Sequence, residues 1–275
     1  MENNNLKVIN EIEKLGYGTA LYSSQLKSNV IDLINIFESF CGQSLDHKQN
    51  MLYQSSMGYE NHNRLADPAS VDHKESFYIK NNYEFPKTFT PSEVDEEFVL
   101  GCKSLLKEIL PLVLNSTAAL SDVGGGDLSQ YFDETSLTLR AIHYYPDTSV
   151  EIAYHHVDRG GHTYHLYETT DGLEAYWQGA WNKIIFNQAQ MAYFPGLQAQ
   201  FASKCLLRGL CHRVVSNIQS VQHGRYSLVL FIDYHKLGYK YSLNKSGPIE
   251  KALLPGQNYE MPFIELRKFF EKRKH

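Results

Sequence analysis

Cysteine is scarce in this chain. The four residues, Cys41, Cys102, Cys205 and Cys211, show no Cys-x-x-Cys spacing, which argues against a zinc site. They read as reduced thiols, as in a cytoplasmic protein. No apolar run is long enough to cross a bilayer, so no membrane partner is expected. The opening Met1-Glu2-Asn3-Asn4-Asn5 is polar and acidic and lacks the pattern of a secretory leader. An excess of one charge is missing too. Lys and Arg total 26 against 31 Asp and Glu, a net charge of −5, with both signs mixed along the chain. Without a basic stripe, nucleic-acid binding has no support. The basic run from Arg267-Lys268 to Lys274 reads as the solvated face of a terminal helix. There is no internal repeat and no linker, so residues 1–275 read as one domain.

Hydrophobic residues make up 43 % of the sequence and tyrosine alone contributes 19, enough for one large core edged by aromatics. The first half, residues 1–134, reads as largely helical. Ser24 is placed as the N-cap of a helix to Cys41, with Val30, Leu33, Ile34 and Phe37 at helical spacing. Gln54 to His73 reads as a long polar loop. Pro91-Ser92 opens a second helix toward Leu120, interrupted by Pro111.

From residue 135 to 240 the period changes to that of strands. The segments are Ser136–Tyr144, Val150–His156, Thr163–Glu168, Leu173–Tyr176, Lys183–Asn187, Met191–Phe194, Ala199–Phe201, His212–Ile218 and Arg225–Tyr234. Many short strands after a helical region point to a mainly β sandwich or barrel with helical buttressing. Residues 241–275 form a C-terminal segment.

His156 and Asp158, in His155-His156-Val157-Asp158, stand two apart, so on a strand they share one face. His155 then points away and is not a candidate. His212, in Cys211-His212-Arg213, lies too far downstream for a local turn and suits a strand returning across a barrel. Two imidazoles and a carboxylate are the donor set for one face of iron(II), leaving the opposite face open. Arg225 and Ser227 are again two apart and would face the interior. A buried guanidinium needs a partner, and with a hydroxyl beside it suits a carboxylate. His162 and His165 read as polar residues of a strand. Arg64, Arg140 and Tyr59 are candidate contacts for a polar substrate.

At these residues the sequence resembles the isopenicillin N synthase-like family of Fe(II)- and 2-oxoglutarate-dependent oxygenases. The likeness spans most of the chain. Leu139 to Pro146 is similar to the family strand that ends in a tyrosine and proline. The stretch from His156 to Leu173-Glu174 resembles its His-x-Asp segment, and Phe194-Pro195-Gly196-Leu197-Gln198 the segment before the distal histidine. Leu15-Gly16-Tyr17-Gly18, Gly58-Tyr59 and Asp72 to Phe77 are similar to N-terminal segments of the family.

The resemblance implies a double-stranded β-helix core, of the jelly-roll or cupin-like kind, under an N-terminal helical layer. It implies iron on His156, Asp158 and His212, and 2-oxoglutarate on Arg225 and Ser227 with Tyr145. The implied reaction hydroxylates, desaturates or cyclises a small molecule with O₂, releasing succinate and CO₂. A carboxylate at Asp158 leaves no ligand position for a halide. Two departures stand out. The stretch from His212 to Arg225 is longer than usual, which a longer connection over 217–224 would absorb, and His143 replaces a usual asparagine. Two other readings remain open: an iron oxidase of the same fold that does without 2-oxoglutarate, and a non-catalytic binding protein.

Overall fold

The computed structural model describes residues 10–62, 73–185, 190–204 and 206–237, with the backbone of two further short strands, Lys251–Leu253 and Glu260–Pro262. Arg64 and Cys205 lie outside the described residues, as do the side chains of the C-terminal segment.

Two antiparallel sheets face each other as a jelly roll. The larger has seven strands: β1 (Gly18–Leu21), β2 (Gly58–His62), β3 (Lys74–Ile79), β4 (Leu137–Tyr144), β6 (His162–Glu168), β9 (Gln190–Pro195) and β11 (Arg225–Ile232). Their order is β1-β9-β6-β11-β4-β3-β2. The smaller sheet has the order β5-β10-β7-β8, from β5 (Glu151–His156), β7 (Leu173–Trp177), β8 (Ala180–Lys183) and β10 (Cys211–Val215).

Helices α1 (Ser24–Cys41) and α3 (Glu93–Gly124) cover the outer face of the large sheet, with a short α2 (Leu45–Gln49) after α1. Phe40 and Phe98 from the two helices meet Phe77 of β3, and Phe37 stacks on Phe98. Ring centroids lie 5.3 Å apart for Phe37–Phe98 and 5.4 Å apart for Phe40–Phe77, in the offset and edge-on contacts that aromatic pairs favour.

Both faces of the large sheet are therefore buried, and alternation sorts its residues between two cores. In β11, Leu228, Leu230 and Ile232 pack under the helices, while Val229 and Phe231 turn toward the small sheet. In β4, Leu139 and Ala141 join the helical side, and Ile142 and Tyr144 the inter-sheet side.

Several boundaries differ from the sequence reading. The cap of α1 is Ser23, not Ser24: its backbone is extended, and its hydroxyl accepts from the amide of Leu26 at 3.1 Å. The Gln54–His73 stretch contains β2, whose polar residues Glu60, Asn61 and His62 disguise a strand paired to β3. Ala199–Phe201 is not a strand but part of helix α4 (Leu197–Ala202). Three residues are too few to separate the two periods. The strand expected at Lys183–Asn187 is not found: β8 ends at Lys183, Ile184 and Ile185 are not strand, and residues 186–187 lie outside the described residues. β8 closes a hairpin on β7 through Gln178 and Gly179, both with positive φ. The strand of His212 ends at Val215. Asn217 and Ser220 then form a capping box for α5 (Ile218–His223), which takes up the extra length before Arg225.

Candidate active site

The site lies between the two sheets. His156 ends β5 and His212 is its direct cross-strand partner in β10. Asp158 sits just past the end of β5 rather than in the strand. That short loop is held in place by backbone bonds from Leu197 N to Asp158 O at 2.8 Å and from Gly196 N to Gly161 O at 2.8 Å. Gly196 is required by this close approach. A Cβ there would stand 2.3 Å from the carbonyl oxygen of Gly160 and 2.9 Å from that of Asp158.

His156 Nε2 is 3.5 Å from Asp158 Oδ1, and His212 Nε2 is 3.8 Å from Oδ2. Two N or O ligands of one ion, each bonded at about 2.2 Å, are at most about 4.4 Å apart, so the three side chains can share a metal. Each imidazole has its other nitrogen anchored to a backbone carbonyl. His156 Nδ1 donates to Tyr154 O at 2.7 Å and His212 Nδ1 to Leu210 O at 3.1 Å. This tautomer turns both Nε2 lone pairs toward Asp158. Thr163 of β6 donates its hydroxyl to Asp158 Oδ2 at 2.5 Å. The His156 side chain is 41 % exposed and that of His212 only 9 %, so the centre opens to solvent on the His156 side.

Burial opposes the charge of Asp158, but His212, His156 and the Thr163 hydroxyl hold its carboxyl well below the usual range. Burial, with His156 adding to it, lowers His212 to about 4, so that ring is neutral near pH 7.

Arg225 and Ser227 face the same interior, as their alternation requires. Arg225 is fully buried, its guanidinium 5.4 Å above the ring of Tyr144. Arg225 Nε donates to Thr170 O at 3.1 Å, and Nη2 pairs with Glu168 at the end of β6. Arg225 Nη1 and Ser227 Oγ are buried without a protein partner. Two unsatisfied buried donors two residues apart fit an absent acceptor such as a carboxylate.

Tyr145 does not join them. β4 points Tyr144 inward beside Arg225, its register partner. The Tyr145 hydroxyl instead reaches Asn61 Oδ1 at 3.5 Å, on the helical side. The one-residue step in β4 is the physical reason for this correction. His143 also faces outward. It stacks on Tyr226 with centroids 4.3 Å apart and bonds Glu75 at 2.9 Å, so it does not take the place of a site asparagine.

Tyr59, a candidate substrate contact, is buried with its hydroxyl 2.7 Å from Glu75. Arg140 does face the inter-sheet side, held by Ser76 Oγ at 3.0 Å and lying 4.6 Å over the ring of Tyr78. Sequence reading missed Tyr144, Thr163 and Glu168. Thr163 and His165 stand two apart on β6, the same spacing in sequence as His156 and Asp158, which was a usable signal. Glu168 had none, because it meets Arg225 only through strand pairing.

Among the described residues one other group has ligand-type donors, Cys41, Glu75 and His143. Glu75 there already accepts from Lys48 at 2.6 Å and from Tyr59, and Lys48 supplies its positive charge. The group reads as a buried ion-pair network.

No protein-family model matches this sequence, and no curated protein does. Solved structures do match. A Caulobacter crescentus protein, described as of the 2OG-Fe(II) oxygenase family, superposes with TM-score 0.71 at 16 % identity, covering 98 % of this chain and 94 % of its own. A Neurospora crassa protein solved with alpha-KG and thymine gives TM-score 0.70 at 14 % identity over 98 % and 91 %. An Arabidopsis thaliana dioxygenase for auxin oxidation, solved with 2-oxoglutarate, gives 0.67 at 19 % over 92 % and 91 %. The chain has the fold of the 2OG-Fe(II) oxygenases. That oxygenase fold extends over nearly the whole length, the helical layer included. Among the described residues, no helix is long and apolar enough to cross a membrane.

Proposed function

We propose that this chain is an Fe(II)- and 2-oxoglutarate-dependent oxygenase acting on a small molecule. One observation carries the reading. Two buried donors, Arg225 Nη1 and Ser227 Oγ, lack a protein partner on the interior that also holds a two-histidine, one-aspartate set. The shared fold with structures solved with alpha-KG supports it.

His156, Asp158 and His212 would hold the iron, and Arg225 and Ser227 the far end of the 2-oxo acid. Together these groups supply, when bound, oxidation of a substrate C–H bond by O₂ with release of succinate and CO₂. The chain's own part is placement. The Nδ1–carbonyl bonds fix the two imidazoles, and Thr163 fixes Asp158. The apolar walls Phe194, Val229 and Ile142 keep water from the interior. Substrate would approach from the His156 side.

The first test is anaerobic. Iron(II) and then 2-oxoglutarate, added to metal-free protein, are expected to give the weak visible band of a chelated 2-oxo acid. Asp158→Ala is expected to abolish it. Iron binding without a band would favour the second reading, an iron oxidase that does without 2-oxoglutarate. The Glu168 carboxylate already on Arg225 is the observation that keeps that reading in play.

A further inference from the structure

Glu168 is a group that a simple carboxylate clamp does not need. It lies opposite Ser227 in the β6–β11 register and puts Oε2 on Arg225 Nη2. The same oxygen is 3.2 Å from His165 Nε2, on the other side from Arg225. The Arg225 side chain is fully buried and that of Glu168 is 9 % exposed. Burial works against the Glu168 charge, but Arg225 and then His165 outweigh it and bring its pKa down to about 2. The guanidinium is therefore matched by a carboxylate before any ligand arrives.

We propose that Glu168 is a specificity-determining residue of the co-substrate pocket: an internal counter-ion that makes the far end of the pocket a neutral hydrogen-bonding site instead of a bare cation. The inference rests on the reading that Arg225 and Ser227 receive a 2-oxo acid. Nη1 and Oγ can donate to a terminal carbonyl oxygen, and Glu168 can accept from an N–H. A terminal amide satisfies both. A terminal carboxylate takes the two donors but meets Glu168 as a like charge. The pocket should thus hold 2-oxoglutarate more loosely than an uncompensated arginine would. It should admit the 5-amide, 2-oxoglutaramate, as a close competitor.

The test is calorimetric titration of both compounds into the iron(II)-loaded protein without oxygen, in the wild type and in Glu168→Gln. The wild-type affinities are expected to agree within about tenfold. In Glu168→Gln, 2-oxoglutarate should tighten by about tenfold or more, while the amide does not. A wild type that prefers 2-oxoglutarate by more than about a hundredfold overturns the proposal, as does a folded Glu168→Gln with an unchanged ratio. Should the variant not fold, the wild-type ratio decides alone. If neither compound binds the iron-loaded wild type, the co-substrate reading itself fails. That outcome is distinct from a failure of Glu168's role alone.

Discussion

Asp158 stays ionised against its own burial because His212, His156 and Thr163 surround it, and Thr163 is the member that touches no metal in the proposed centre. Thr163→Val keeps the shape and removes the hydroxyl that orients the carboxylate. Iron(II) affinity, measured by calorimetry, is expected to fall by about tenfold to a hundredfold with the fold intact. An unchanged affinity would mean that Asp158 is positioned by the loop alone. Ser227→Ala removes one of the two unpartnered donors. It is expected to weaken 2-oxoglutarate by about tenfold or more, as loss of a hydrogen bond to a charged group does, and to leave iron binding alone. At this scale the meeting of His156, Asp158 and His212 was legible, because all three come from short motifs whose side-chain types suggest one shared centre. Tyr144 was not. Choosing between two adjacent tyrosines needs the phase of the strand, and only the pairing of Tyr144 with Arg225 sets it.

Elements were legible wherever a period ran long enough to count. The apolar faces of α1 and α3 and the strands β4, β5, β6 and β11 fall where alternation and helical spacing put them, within a residue or two at most ends. The failures were short or polar segments. β2 hides behind Glu60, Asn61 and His62, and α4 is too brief to show a period. α4 nevertheless matters to the centre, because its first turn is stacked on the Asp158 loop. Gly196→Ala would drive a methyl group into backbone, which cannot rotate away. A loss of about 1–3 kcal/mol in urea unfolding is expected, as for overpacking elsewhere, together with weaker iron binding. A stability loss with unaltered iron affinity would show that the loop holds Asp158 without α4.

At the scale of the molecule, the jelly roll buries both faces of its large sheet, and this hides histidines on each side of it. His162 is fully buried between β6 and α3, with contacts to Thr117 Oγ1 at 3.1 Å and the Tyr234 hydroxyl at 3.1 Å. Burial lowers its pKa to about 3, and His212, on the other face, is lowered to about 4. Both groups are neutral in the folded chain at pH 5, whereas an unfolded histidine takes up a proton below about pH 6.5. The unfolded state then binds more protons, so stability falls as pH drops from about 6.5 toward these lowered values. Each fully buried histidine contributes at most about 1.4 kcal/mol per pH unit. From pH 7 to pH 5 the metal-free protein is expected to lose roughly 2 kcal/mol from each, read as urea unfolding at the two values. Saturating iron(II) should hold His212 neutral in the folded state and add its own binding free energy, which itself weakens in acid. His162→Gln separates the two faces. It should be less stable at pH 7, having lost its fit between Thr117 and Tyr234, yet show a shallower acid slope, because one of the buried histidines that resist protonation is gone. An undiminished slope would assign the acid sensitivity to groups other than His162.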